Sequence, residues 1–334
     1  MNTTRSIPTG TRRRTLLQGA LGGTALLLQA LPAHAQAWPA KPVRVIVNIP
    51  PGGAADQLAR LIAQPMGEAL GQSVVVENRA GANGMIGGEV VVKSPADGYT
   101  LLMSSGGMVS VNPHIYPRMP FDPNKDIVPV ASAARVLVYL VSHPKMPVNN
   151  VQEFLAYLKA NPGRTSFGSP GNGSSPHLAA EMMKSQANVF SVHVPYRGAA
   201  PALQDLLAGQ LDFYFDPGIG LQQVRAGRLK LLAVGSPKRS PLFPDVPTLD
   251  EAGLKGFDAD TVFGFYAPAG TPAGVVERLN REINKILATK AAQERIQALG
   301  GEALALSPAQ FADKAAEDSK RFGAIIRERK ITGD

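Results

Sequence analysis

The sequence predicts an α/β protein in which two domains each contain a mostly parallel sheet flanked by helices. A chain of 334 residues is long enough for two cores of ordinary size. Short β-branched runs alternate with helical patterns, which is typical of βαβ units. Two such series occur, one on each side of the apolar segment Val136–Val141, and no Gly/Ser-rich linker separates them. We therefore expect strands that cross between the two domains rather than a flexible connection.

The first series begins with the alternating run Val43–Ile49, whose β-branched residues predict a strand that is buried on at least one face. Pro50 and Pro51 end this strand because proline cannot donate to a ladder. A helical pattern follows, with Asp56 in its opening turn. The other predicted elements of the series are the strands Val74–Asn78 and Thr100–Ser104 and a helix over about Ile86–Lys93.

The rest of the chain contains a second series and a helical end, with a proline-rich, irregular stretch before them at Pro113–Pro129. The predicted strands are Thr165–Ser169, Val189–Val194, Leu211–Phe215, Leu229–Val234 and Thr261–Ala267. The predicted helices are Val151–Ala160, Pro176–Gln186, Pro201–Ala208, Pro272–Thr289, Ala291–Leu299 and Pro308–Arg329. We expect residues 38–138 and 265–334 to form one domain and residues 139–264 to form the other, with a ligand cleft between them.

The first 37 residues predict a signal peptide that is removed on export. An arginine-rich start precedes the apolar segment Gly19–Leu31 and the cleavage pattern Ala33-His34-Ala35. The apolar segment is too short to span a bilayer. Cleavage is expected near Ala35 or Ala37. Arg13–Leu17 resembles a twin-arginine signal, and the Sec and twin-arginine routes both stay open.

Composition excludes several classes of protein. The chain contains no cysteine, which rules out disulfides, a thiol nucleophile and a cysteine-based metal site. The formal net charge is +8, and removal of residues 1–37, which hold four arginines and no acid, leaves about +4. This mild excess suits anionic ligands. Because no basic run follows, we expect no nucleic-acid partner, and we expect neither a metal nor a cofactor.

The turn after the first strand is a candidate anion site. Its glycines permit positive φ and leave no side chain in the way. The helix that follows begins with unpaired N–H groups and the positive end of its dipole. An ordinary tight strand-to-helix connection is the alternative, and both interpretations stay open for this segment. The candidate ligand contacts are Ile49, Pro51, Gly52, Gly53, Ala54, Ala55 and Asp56.

A second turn of the same kind occurs in the second series, directly before the helix that opens at Pro176. Ligands of open parallel sheets lie beyond the carboxyl ends of the strands. Both turns fall there, and so does a third one, Ser105-Gly106-Gly107. Two such turns that face one cleft would hold a molecule with anionic groups at both ends. These turns add the candidates Ser105, Gly106, Ser169, Gly171, Asn172, Gly173, Ser174 and Ser175.

Other polar residues allow two interpretations each. Asp216 ends a strand, where it either meets a ligand amine or caps the next helix. Arg197, beside the candidate contact Tyr196, pairs either with a ligand or with a surface acid. His177 and His193 are too isolated for a metal site, and we expect structural roles for them. No P-loop, dinucleotide fingerprint, G-x-S-x-G elbow or nucleophile–base set occurs, so an enzyme is not expected.

Taken together, these motifs resemble the periplasmic receptors of tripartite tricarboxylate transporters, the Bug receptors. The resemblance covers nearly the whole chain from Trp38 onward. Each motif is loose alone, but their order and spacing are specific. The matching segments are Pro50–Asp56, Val75–Gly81, Asp97–Leu101, Gly168–Ser175, His193–Gly198, Phe215-Asp216, Pro244–Thr248 and Ala267–Pro272.

The resemblance implies a two-domain Venus-flytrap receptor in the periplasm, which closes on a small carboxylate and delivers it to membrane permease subunits. It implies that Pro50–Asp56 and Ser169–Ser175 hold ligand carboxylates, and that Asp216 meets amine-bearing ligands. We expect a monomer. The chain departs from the family where Asn48-Ile49 replaces Pro-Phe, where Ala54-Ala55 replaces Ser-Thr, and where Pro170 replaces Ala. Fewer hydroxyls suggest a more apolar pocket, for an aromatic or longer carboxylate or a dicarboxylate.

Two further functions are alternatives. The same fold presents a closed form to a membrane sensor kinase in a periplasmic sensing partner, and the residues do not distinguish that role from transport. An exported hydrolase or isomerase would need Asp56 or His177 as a base, and the sequence offers no group to complete such a site.

Overall fold

A computed structural model describes residues 1–4 and 38–333 of the chain. The predicted signal peptide and its cleavage site therefore fall mainly outside the described residues. Tertiary contacts group Lys41–Asp334 into one compact unit, apart from Met1–Ala40. Among the helices that the structure describes, none combines the length and the apolar character needed to cross a membrane.

Eleven strands are described, and they form two separate sheets. In chain order they are β1 (Val43–Val47), β2 (Val74–Asn78), β3 (Thr100–Ser104), β4 (Ile127–Val136), β5 (Tyr139–Ser142), β6 (Ser166–Ser169), β7 (Val192–Pro195), β8 (Phe213–Asp216), β9 (Lys230–Val234), β10 (Thr261–Pro268) and β11 (Gly301–Ala303). The first sheet has the order β11-β4-β10-β3-β1-β2 and the second has the order β7-β6-β8-β5-β9.

Helices connect and cover the strands, and a 3₁₀ turn at Ala82–Gly84 precedes α2. The described helices are α1 (Ala54–Leu70), α2 (Met85–Val92), α3 (Gly107–Ser110), α4 (Asn112–Ile115), α5 (Val151–Ala160), α6 (Ser175–Ala187), α7 (Ala199–Leu207), α8 (Leu221–Arg225), α9 (Ala273–Leu287), α10 (Lys290–Ala298) and α11 (Pro308–Arg329). We call the first sheet with α1–α4 and α9–α11 the first lobe, and the second sheet with α5–α8 the second lobe.

The α/β fold class is confirmed, with one difference in strand direction: both sheets are mixed. Parallel pairing joins β1 to β2 and β3 in the first sheet, and β6 to β7 and β8 in the second. The other pairs are antiparallel and involve β4, β5, β9, β10 and β11. Of these, β4 with β5 and β9 with β10 flank the two links between the sheets, whereas β11 lies within the first lobe. Because no crossover helix returns the chain beside the previous strand, nothing forces parallel pairing there.

The chain crosses between the sheets through short extended links. The predicted single strand Val136–Val141 is in fact the end of β4 and the start of β5, separated by Leu137 and Val138. The stretch predicted as irregular up to Pro129 overlaps β4, which tolerates the proline beside a register shift in its pairing with β10. The predicted domain boundaries stay a prediction. β10 belongs to the first sheet from Thr261 onward, four residues before the expected boundary.

Helix α11 contributes to the core of both lobes. Its C-terminal half places Phe322, Ile325 and Ile326 in the same buried cluster as Leu178 of α6 and Phe167 of β6. Nearer its start, Phe311 packs with Tyr266 of β10 in a core cluster of the first lobe. The helix begins with a complete capping box at Ser307 and Gln310. A single long helix therefore buries apolar side chains against both sheets.

We predict that Phe322→Ala lowers the free energy of unfolding by about 3–5 kcal/mol, because it leaves a cavity in the cluster shared by the lobes. Urea denaturation measures the loss. Phe190→Ala is the control, since Phe190 is 53% exposed and Phe322 is fully buried. Equal losses in the two variants would contradict the packing role of α11.

Candidate functional site

The first loop, residues 50–56, is held in place by the buried carboxylate of Asp56. One carboxylate oxygen, Oδ2, accepts the amide N–H of Gly52 at 2.9 Å. The other, Oδ1, accepts from Arg60 Nε and from Asn78 Nδ2, both at 3.0 Å. Asn78 also donates to the carbonyl of Ile49 at 3.2 Å. Asp56 therefore ties the loop to the end of β2 and to its own helix.

The environment of Asp56 favours its charged form. Burial alone would raise the pKa of Asp56, but hydrogen bonds from Arg60, Gly52 and Asn78 and the Arg60 charge outweigh it, and the pKa is lowered. Because all of its described bonds are internal, Asp56 supports the loop. Its place among the predicted ligand contacts stays a prediction.

The remaining first-loop candidates differ in exposure. Pro51 and Gly52 are exposed, and Gly52 has φ +80°, which explains the requirement for glycine. Ile49 folds over Gly53: a Cβ placed on Gly53 would lie 2.7 Å from Ile49 Cδ1. Ala54 and Ala55 are buried in the first turn of α1. Any contact that they make with a ligand would therefore use their backbone amides.

The third turn is packed beside the first. Asn48, at the end of β1, donates to Ser104 Oγ at the end of β3 over 3.1 Å. Gly106 has φ +80°, and a Cβ there would lie 2.6 Å from the Val262 carbonyl oxygen. Ser105 is half-buried beside it. Because β1 and β3 pair in parallel, the first loop and the turn with Ser105 and Gly106 both lie at the carboxyl end of the first sheet.

The second loop, residues 169–175, uses many of its own polar groups internally. Ser169 Oγ donates to the Gly171 carbonyl at 3.1 Å, and Ser174 Oγ donates to the same oxygen at 2.7 Å. The Gly171 amide lies 3.2 Å from Ser169 Oγ. Gly173 donates its amide to His177 Nδ1 at 3.0 Å. Asn172 also has an interaction partner.

Tyr196 and Asp216 are both engaged within the second lobe. Tyr196 donates its amide to the Ser169 carbonyl at 2.9 Å and its hydroxyl to Asp205 at 2.6 Å. Burial and then Asp205 raise the pKa of Tyr196 to about 12. Tyr196 thus lies beside the second loop, with its hydroxyl turned to α7.

Asp216 is fully buried and accepts the amides of Gly218 and Gly220, each at 2.9 Å. Burial raises its pKa to about 7, although these two hydrogen bonds oppose the shift. Its two bonds hold the turn that precedes α8, whose start has no side-chain cap. A contact with a ligand amine stays a prediction.

Each of the two loops is close to a residue of the opposite lobe. A Cβ placed on Gly173, in the second lobe, would lie 2.5 Å from Ile115 Cδ1, 3.2 Å from Val111 Cγ1 and 3.4 Å from Asn83 Nδ2, all in the first lobe. A Cβ on Gly198, directly before α7, would lie 3.6 Å from Pro50 Cγ. Gly198 also donates its amide to the Pro170 carbonyl of the second loop at 3.2 Å. The first and second loops therefore both lie at the boundary between the lobes, each in contact with a residue of the opposite lobe or next to one.

Several residues at this boundary were not predicted from the sequence. Asn83 donates to Asn112 Oδ1 at 2.6 Å, and Asn112 donates back to the Asn83 carbonyl at 3.0 Å. The backbone around Asn83 is left-handed at four consecutive residues, 81–84. Its flanking glycines were a usable signal. Ile115 lies in the stretch predicted as irregular and Asn112 directly before it, where nothing in the local pattern marks them.

The helices that start at the two loops lack side-chain caps. Gly53 before α1 and Ser174 before α6 make no side-chain hydrogen bond to the helix start, and neither does Gly198 before α7. Side chains cap α5, α10 and α11, and the other described helices, α2–α4, α8 and α9, also start without a side-chain cap. The first N–H groups of a helix have no intrahelical acceptor. The boundary between the lobes therefore gathers uncapped, positively polarised helix ends, which suit an anion.

Two surface cavities lie elsewhere. One, of about 450 Å³, is bordered by Arg135, Glu302 and Lys314, and the other, of about 390 Å³, by His114, Tyr266 and Ser319. Neither is lined by a predicted ligand contact. Within residues 1–4 and 38–333, no group of three His, Asp or Glu side chains is arranged to hold a metal ion.

We predict that Asp56→Asn lowers the free energy of unfolding by about 1–3 kcal/mol at pH 7, because charge-assisted hydrogen bonds are lost. The pKa of Asp56 is lower in the folded protein than its value of about 3.9 in the unfolded chain. The charged carboxylate therefore stabilises the fold at pH values above about 3.9, and this stabilisation is lost as the pH falls through the folded pKa. The difference from the wild type should therefore shrink below about pH 4 in urea titrations. Glu294→Gln is the control. It breaks the exposed ion pair of Glu294 with Lys290, which has the same i,i+4 spacing as Asp56 and Arg60, and it should change the free energy of unfolding little. A pH-independent difference would contradict the assignment.

We predict that Gly173→Ala destabilises the protein by at least about 1 kcal/mol more than Gly227→Ala. The two glycines have similar φ angles of +75° and +69°, but a Cβ on Gly227 meets nothing within 4 Å. The cost of placing alanine at a positive φ is therefore similar in the two variants. Only Gly173→Ala also forces Ile115 and the second loop apart. Urea denaturation of both variants measures the difference, and equal losses would show that the contact between the lobes is loose.

Similar proteins of known family show the family of this chain. A family model described as "Tripartite tricarboxylate transporter family receptor" matches residues 58–331. The chain is 41% identical over 319 residues to a protein encoded in the tcbD-tcbE intergenic region of Pseudomonas sp. strain P51, with 94% of this chain and 95% of that protein covered. It is 38% identical over 302 residues to protein BugT of Bordetella pertussis, with 90% and 92% covered.

Solved structures agree with the sequence relatives. The fold is similar to that of an R. palustris protein solved with adipate, with a TM-score of 0.84, 33% identity and coverage of 88% of this chain and 99% of that one. MatC from Rhodopseudomonas palustris, solved with malate, gives a TM-score of 0.80 at 30% identity, with 86% and 100% covered. The periplasmic binding protein BugD gives 0.81 at 34% identity, with 89% and 100% covered. The chain belongs to the tripartite tricarboxylate transporter receptor family, whose members are periplasmic solute-binding proteins and not enzymes.

Proposed function

We propose that this receptor captures a small organic carboxylate with two anionic groups, or an aromatic carboxylate, between its two lobes, and delivers it to the permease subunits of a tripartite tricarboxylate transporter. The observation that carries the proposal is that two uncapped helix starts, those of α1 and α6, lie in different lobes and follow loops at the boundary between the lobes. Contacts at Gly173 and Gly198 keep these helix starts at one boundary.

The proposed ligand bridges the two loops with its anionic ends. Helix N-termini bind carboxylates through unpaired amides and the helix dipole. In the second loop, Ser175 adds a hydroxyl that has no hydrogen-bond partner among the described residues. In the first loop, Ala54 and Ala55 offer amides only, because neither carries a hydroxyl. An asymmetric pair of loops of this kind favours a ligand whose two ends differ or whose middle is apolar.

Ligands of two structural relatives support the chemical class. The R. palustris neighbours were solved with adipate and with malate, and both molecules are dicarboxylates. The net charge of about +4 expected after signal-peptide cleavage would also attract an anion over long range. We further propose that the mature receptor is a monomer released into the periplasm by cleavage near Ala35 or Ala37.

Binding would be coupled to the approach of the lobes. A ligand that touches both loops has a differential affinity for the closed arrangement, and this shifts the open–closed equilibrium. The links at Leu137-Val138 and at residues 235–260 are the places where the chain passes between the sheets. They are the proposed hinge.

Calorimetry on the mature protein tests the proposal with a matched pair of ligands. We expect adipate, or another member of a dicarboxylate series from four to eight carbons, to bind at least about 100-fold more tightly than its uncharged diamide, because two charge-assisted contacts are lost. Aromatic monocarboxylates and their amides form the second arm. Equal binding of acid and amide, or binding of neutral sugars and amines alone, would contradict the proposal.

A further inference from the structure

Two stacked histidines lie under the second loop. The imidazole rings of His177 and His193 are parallel within 8°, and their centroids are 3.9 Å apart. Phe167 lies against both rings, with centroid distances of 4.9 Å to His193 and 6.4 Å to His177. His177 belongs to α6 and His193 to β7. The pair therefore joins the helix that starts at the loop to the neighbouring strand.

Each histidine makes a hydrogen bond with one end of the loop. His177 Nδ1 accepts the Gly173 amide at 3.0 Å. His193 Nε2 lies 2.7 Å from Ser169 Oγ, the hydroxyl that bonds the Gly171 carbonyl. Gly171 and Gly173 have φ angles of +135° and +75°. Because such glycines have wide conformational freedom, these side-chain contacts limit the loop to one shape.

The bond to Gly173 requires an unprotonated Nδ1 on His177. An amide N–H can donate only to a ring nitrogen that carries no proton. The charged groups around the ring are Glu181, whose Oε1 lies 3.9 Å from Nε2, and the two cations that pair with Glu181, Lys184 at 2.5 Å and Arg329 at 3.1 Å. Burial, then His193 and Lys184, lower the pKa of His177 to about 3. Both the geometry and the lowered pKa therefore favour a neutral ring that accepts at Nδ1.

We propose that His177 is a positioning residue of the receptor: by accepting the Gly173 amide it fixes the second loop in the shape that presents the start of α6 to the ligand. The inference rests on the proposed function, because it names the group that prepares the loop for a carboxylate. It also changes which group of the second loop can donate to the ligand. The Gly173 amide donates to His177, so the proposal leaves the amide and hydroxyl of Ser175 as the donors to the ligand.

Two substitutions separate hydrogen bonding from stacking. His177→Phe keeps an aromatic ring against His193 but removes the acceptor, whereas His177→Asn loses the ring stack but offers a side-chain oxygen near the position of Nδ1. We expect His177→Phe to weaken carboxylate binding about tenfold, and His177→Asn to recover most of that loss. His143→Phe is the matched control, because His143 Nδ1 also accepts a backbone amide, that of Lys145 at 3.1 Å, at the end of β5.

A second readout follows the loop itself without ligand. Amide hydrogen exchange at Gly173 should speed up in His177→Phe and stay protected in His177→Asn and in His143→Phe. If the wild type binds no carboxylate, the proposed function fails while the exchange data still test the positioning role. If affinity instead follows the loss of thermal stability in both His177 variants, or if Gly173 stays protected in His177→Phe, the inference is overturned.

Discussion

Amide groups at the start of a helix have no acceptor inside the helix, and the rest of this structure depends on how that constraint is met. Side chains cap α5, α10 and α11, and the other described helices start without a side-chain cap, two of them being α1 and α6. Both starts lie at the boundary between the lobes, beside glycine-rich loops in contact with the opposite lobe. A receptor for anions needs this arrangement, because an internal cap would compete with the ligand for the same donors.

The two lobes fix their loops by different chemistry. In the first loop the carboxylate of Asp56 accepts a hydrogen bond from the Gly52 amide. Arg60 pairs with its charge, and Asn78 donates a further hydrogen bond. In the second loop the neutral ring of His177 accepts a hydrogen bond from the Gly173 amide. A negative group near an anion site opposes binding unless it is paired. The ion pair with Arg60 therefore matters to the first loop in a way that has no counterpart in the second.

The fold supplies the geometry that these loops need. Parallel strands β1, β3 and β6 end at the lobe boundary, and the antiparallel strands carry the chain from one sheet to the other. Helix α11 adds a packed connection, since its apolar side chains enter core clusters of both lobes. Two strand links and one long helix thus determine how Gly173 approaches Ile115. This is consistent with a chain whose tertiary contacts form one unit from Lys41 onward.

The sequence by itself determined the α/β class, most of the elements, the glycine turns and the family, because hydrophobic periodicity, proline and glycine act within a few residues. It missed β4, β11 and the Asn83–Asn112 pair, whose positions depend on neighbours far along the chain. Only the tertiary structure decided which donors of the loops are used internally. The Gly173 amide donates to His177, and Asp216 accepts the amides of its own turn, because the packing of α6 and β8 brings these groups together.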